Sequence, residues 1–158
     1  MINKPLSLLF LAATLAAPIH AIAAGATVQV ADPYVRAVPA GQDQTAAYMI
    51  LRNTGKQDVA LVKAGSPAAR AVELHTVISE GGMMKMRPVP KMEVKAGGET
   101  RLQPGGLHIM LIGMKEPVKE GASVSLTLNF DDGSKLNVTA PVRAAAGGMG
   151  MPQHNHMH

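Results

Sequence analysis

Read for its apolar and polar positions, the chain is a succession of short strands. From Thr27 to Val142, runs of β-branched and aliphatic residues alternate with turn residues, and no window carries a capped apolar stripe at helical spacing. The pattern predicts strands near 27–30, 45–53, 59–63, 71–78, 83–87, 92–95, 99–103, 107–113, 122–130 and 135–142. Between them stand Asn53-Thr54-Gly55, Gly81-Gly82, Gly97-Gly98, Pro104-Gly105-Gly106 and Asp131-Asp132-Gly133, residues that favour tight turns. Alternation is cleanest from Val124 to Phe130, as expected of a sheet with one face on a core. Many short strands with Gly/Pro turns predict an all-β sandwich or Greek-key barrel spanning residues 25–143.

The two ends break the pattern. Residues 1–24 read as an export signal: Lys4, the apolar run LSLLFLAATLAAP, then the small-residue pattern Ala21-Ile22-Ala23. Cleavage is expected near Ala23/Ala24, leaving a periplasmic protein with no membrane-spanning segment, since the apolar run is shorter than the ~20 residues a spanning helix needs. At the other end, residues 144–158 open with a flexible Ala/Gly linker and continue into GMPQHNHMH. This tail has too little apolar surface to fold alone and is expected to be disordered without a ligand.

Composition narrows the function. A formal net charge of +4 is spread without a Lys/Arg block, and the chain has two Tyr, two Phe and no Trp. A stacking platform for bases is therefore missing, and no nucleic-acid partner is expected. The absence of cysteine excludes a disulfide framework and a blue-copper centre, which needs a thiolate. No nucleophile–base constellation stands out, so an enzyme is not expected.

What remains is imidazole and thioether. His75, Met86, His108 and Met110 could share one ion, and soft sulfur with imidazole suits Cu(I) rather than an oxygen-seeking metal. A hairpin tip at Glu80-Gly81 would set His75 directly opposite Met86, with Cβ atoms ~4.5–5.5 Å apart. A tip at Gly81-Gly82 would slide the pairing by two and still leave both on one face. His108 and Met110 are separated by one residue and share a strand face, while Leu107, Ile109 and Leu111 point into the core. Met49, Met92 and Met114 read as core fillers, and Met84 shares the face of Met86 as a reserve ligand. In the tail, His154, His156 and His158 offer nitrogen for Cu(II), with Met149, Met151 and Met157 beside them.

These residues also carry a family resemblance. His75, ten residues, Met86, twenty-one residues, then His108-Ile109-Met110 is the metal motif of the periplasmic PCuAC copper chaperones. AYMILRNTG, VELHTVISEGGMMKMRPV, PGGLHIMLIGMKEPVKEG and SLTLNFDDGSKLNV resemble that family as well, so the likeness covers about residues 27–142. The resemblance implies a cupredoxin-like Greek-key β-barrel holding one Cu(I) on two His and two Met. It implies delivery to the copper-A subunit of cytochrome c oxidase, directly or through a partner chaperone, and a C-terminal extension that takes Cu(II). A copper-storage or resistance protein without a dedicated acceptor is the alternative. A monomer is expected.

Overall fold

The computed structural model describes residues 27–145. The leader over 1–24 and the tail residues Met149, Met151, His154, His156, Met157 and His158 lie outside the described residues. Ten strands run β1 (Val28–Arg36), β2 (Gln44–Asn53), β3 (Val59–Gly65), β4 (Ala69–Glu80), β5 (Met83–Pro88), β6 (Met92–Val94), β7 (Glu99–Leu102), β8 (His108–Met114), β9 (Ser123–Phe130) and β10 (Lys135–Arg143). Each answers to one of the ten apolar runs. Among the described residues there is no helix, and hence none long and apolar enough to cross a membrane.

The strands are ordered β5-β4-β8-β2-β1-β10-β9-β3-β6, with β7 also paired to β2. Among the described residues only the β1–β10 ladder is parallel. The β5-β4-β8-β2-β1 half and the β10-β9-β3-β6 half bury their inner faces in one core. Ala47, Met49, Leu51, Leu74, Ile109 and Leu111 from the first meet Leu61, Met92, Val94, Leu126, Leu128 and Phe130 from the second. This is an all-β, cupredoxin-like sandwich.

The first strand runs further than its apolar pattern indicates. Pro33 looks like a terminator, because it has no N–H to give a ladder. Pairing with β2 is instead interrupted between Ala31 and Tyr34, where Asp32 takes a φ of 47°. The bulge lifts Pro33 out of the ladder, and pairing resumes at Tyr34↔Tyr48.

β7 and β8 form one interrupted strand along the edge of β2. Met49↔Leu102 belongs to the first part and Ala47↔Ile109 to the second. Residues 103–107 are looped out between them, which sets Gly105 and Gly106 beside the start of β8. On its other side β8 pairs with β4, but only as far as His75. The rest of β4 pairs with β5 alone, so the β4–β5 hairpin extends past the last rung with β8.

Asn53 ties the halves of the sandwich together. Its Nδ2 donates to Gln57 O at 2.7 Å and to Val94 O at 3.1 Å, and its Oδ1 accepts from Gly55 N at 2.9 Å. Asn53→Ala strands these buried partners and should lower stability by about 2–3 kcal/mol, given ~1 kcal/mol per hydrogen bond. Urea denaturation of the variant beside the wild type measures it.

Candidate metal site

The candidate site lies on the outer face of the β5-β4-β8-β2 sheet. His75 and His108 are direct cross-strand partners on β4 and β8. Their ring centroids are 5.7 Å apart with the planes tilted by 56°. Alternation along β8 puts Met110 on the same face as His108 and sends Ile109 and Leu111, both fully buried, into the core. His108 itself is only 4% exposed although it faces outward. Tyr48 covers it from β2, ring centroids 6.4 Å apart, and the looped-out segment before β8 flanks it.

Met86 reaches the site from the hairpin. The tip is Gly81-Gly82, with φ of 60° and 77°, so Glu80 pairs with Met83, Val77 with Met86 and His75 with Pro88. The direct His75–Met86 pairing expected from a Glu80-Gly81 tip is therefore not formed. A two-residue turn of this kind wants positive φ at both central positions, which glycine adopts freely and Glu80 would not. Met86 still shares the His75 face, two residues along. Met86, His108 and Met110 line one cleft of about 140 Å³ with Arg36, Tyr48 and Val77.

The hydrogen bonds determine which ring nitrogens are available. His75 Nε2 is 2.7 Å from Glu73 Oε2, and His108 Nδ1 is 3.0 Å from Gly106 O. Carboxylate and carbonyl oxygens only accept, so these nitrogens carry the protons of the neutral rings. The lone pairs then sit on His75 Nδ1 and His108 Nε2. His75 Nδ1 is buried and has no hydrogen-bond partner. An unpaired buried nitrogen costs roughly 1–3 kcal/mol, a cost that coordination removes. A carboxylate or carbonyl behind each imidazole is also the usual arrangement around metal-bound histidine.

Among the described residues no three His, Cys, Asp or Glu side chains gather into a metal site. The structure brings His75 to His108 across the ladder, and His108, Met86 and Met110 to one cleft whose lining does not include His75. Glu73 was missed in the sequence, although its position two residues before His75 puts it on the same face. Nothing in the sequence pattern marks the Gly106 carbonyl. The tail histidines and methionines lie outside the described residues, and the leader does too.

Residues 28–142 match the LpqE-like family, and the chain belongs to it. A Leifsonia xyli subsp. xyli protein named as a lipoprotein, Lxx21020, is 39% identical over 121 residues, covering 76% of this chain and 72% of that protein. The solution structure of Cu(I)-bound DR1885 from Deinococcus radiodurans is 41% identical, with a TM-score of 0.64, over 81% of this chain and 86% of that one. The copper-bound PCuAC domain of PmoF2 shares the fold at a TM-score of 0.65 and 21% identity, over 77% of this chain and 96% of that one.

Burial lowers the pKa of His108 below its ordinary value, and the neighbouring His75 and Arg36 push the same way. The hydrogen bond to Gly106 O acts in the opposite direction. In the unfolded chain His108 takes up its proton near pH ~6.5. The stability from keeping it neutral is thus complete above that pH and is lost as the pH falls through the lower folded value. Ring-proton titration of the metal-free protein should give His108 a midpoint below ~6.5, and a midpoint at or above it would show that the ring is not buried as described.

Proposed function

We propose that the protein is a periplasmic copper chaperone that holds Cu(I) on His75 Nδ1, His108 Nε2 and the thioethers of Met86 and Met110. The observation that carries the reading is the buried, unpartnered Nδ1 of His75. It stands opposite a second imidazole whose protonated nitrogen is also tied back, next to a cleft that Met86 and Met110 line. The Cu(I)-bound state of the Deinococcus radiodurans structure, at 41% identity, supports the same metal and oxidation state.

Four neutral ligands leave the charge of the ion uncompensated, and the Glu73 carboxylate behind His75 offsets it without occupying a coordination position. Neutral thioethers and imidazoles hold copper less tightly than thiolates do, so transfer to a thiolate-bearing acceptor runs downhill. The acceptor is the copper-A subunit of cytochrome c oxidase, or a partner chaperone acting before it. Thioethers form no disulfides in an oxidising compartment, which suits an exported carrier. Residues 1–24 direct that export. The Leifsonia relative carries a lipoprotein name, while these 158 residues include no cysteine.

The tail adds a second site. His154, His156 and His158 take Cu(II) in nitrogen-rich geometry, and Met149, Met151 and Met157 hold the ion once it is reduced. Truncation after Arg143 should abolish the Cu(II) paramagnetic resonance signal at one equivalent and leave Cu(I) binding at one equivalent unchanged. If the truncated protein binds Cu(II) as tightly as the full chain, the division between tail and core is wrong.

At the core site, Met86→Leu should weaken Cu(I) binding while leaving the fold intact. The volumes are similar and the side chain is 56% exposed, so the packing cost stays under ~1.5 kcal/mol. X-ray absorption of the Cu(I) form should show sulfur scatterers, fewer in Met86→Leu. A spectrum of nitrogen and oxygen alone would sink the ligand set.

A further inference from the structure

The donors of the proposed site are graded in exposure from the sheet outward. His108 is 4% exposed and the His75 side chain 14%, whereas Met86 on the hairpin is 56% exposed. Copper held among them is therefore open to solvent on the Met86 side. The next residue outward on that face is another methionine. Met84 pairs with Ser79, two residues nearer the tip than the Val77–Met86 pair, and it is 65% exposed. Every residue of β5 is exposed, and Met84 has no place in the buried apolar core. Packing therefore does not explain a large thioether at this position.

The charges of the hairpin are sorted by face. Lys85 and Arg87 lie on the opposite side, where both donate to Glu80, at 2.9 and 3.0 Å. The face of the hairpin that Met84 shares with Met86 carries Val77, Ser79 and Pro88 and no cation of its own, whereas Arg36 lines the cleft on the inner side of Met86. Met83 is the natural comparison. It is also 65% exposed, is adjacent in sequence, and shares the other face with Glu80, Lys85 and Arg87.

We propose that Met84 is the outer station of copper transfer, binding Cu(I) transiently as the ion passes between Met86 and an incoming acceptor. The inference rests on the chaperone reading above. A Cu–S bond forms at Met84 as a bond to one of the imidazoles breaks, and the acceptor then displaces the thioethers in turn. No electron or proton moves. Because Met84 binds only the passing ion, it accelerates loading and release equally and leaves the equilibrium affinity unchanged.

The test uses the full mature chain carrying one equivalent of Cu(I) under reducing conditions. Transfer to the coloured chelator bicinchoninate is followed by stopped flow, and affinity is measured by competition with the same chelator. Met84→Leu, at an exposed edge-strand position and close in volume, should slow transfer several-fold in both directions with unchanged affinity. Met83→Leu should behave as wild type. Three outcomes overturn the proposal: wild-type transfer rates in Met84→Leu, a weakened affinity in Met84→Leu (which would make it a resident ligand), or equal slowing by Met83→Leu. Failure of the wild type to bind Cu(I) at all would overturn the chaperone reading itself, and so is distinguishable from a failure confined to Met84.

Discussion

The register of β4 against β8 is the constraint on which the rest of the site depends. It sets His75 opposite His108 on the outer face and, one residue away on each strand, Leu74 opposite Ile109 on the inner face. A slip of one residue would carry a histidine inward and an aliphatic side chain out to water. Burial of Leu74, Ile109 and Leu111 forbids that slip, so the core holds the imidazoles in place although it never touches the outer face. Removing a large aliphatic side chain from such a core costs several kcal/mol, whereas most changes on the outer face cost far less. The site can therefore be chemically specialised without endangering the fold.

Much of this was legible in the sequence because a strand has a period of two. Ten apolar runs became ten strands, and His108-Ile109-Met110 showed that its outer residues share a face opposite the buried Ile109. The hairpin register was left between two tips, and turn chemistry decides for the second: Gly81-Gly82 offers two residues free to adopt positive φ, and Glu80-Gly81 offers only one. Other features had no local signal. The Gly106 carbonyl meets His108 only because β7 and β8 are one strand interrupted against β2. The missing partner of His75 Nδ1 depends on Glu73 and on everything packed around the ring. Those are properties of three strands at once, and a single strand pattern carries none of them.

The site also separates what must be rigid from what must be reachable. The imidazoles sit in the middle of a sheet, with one nitrogen of each ring fixed by an oxygen, so their geometry exists before any ion arrives. Pre-forming the site in this way costs an unsatisfied nitrogen at His75 and the desolvation that keeps His108 neutral. Both costs favour occupation by a cation that accepts lone pairs. A proton competes poorly for the His108 nitrogen, because a charged imidazolium is disfavoured in its buried position.

One of the two proposed thioethers takes the opposite role. Met86 is carried on a hairpin that continues beyond the last β4–β8 rung, on a strand whose residues are all exposed. Its side chain has several rotatable bonds and a polarisable sulfur that needs no deprotonation, so it can follow the ion over a short path. A carrier built entirely from buried histidines would bind well and release slowly. One built entirely from exposed methionines would release readily and discriminate little. On the proposed ligand set, the two imidazoles and Met110 hold the ion from the sheet, and Met86 on the exposed hairpin is the donor from which it is given up.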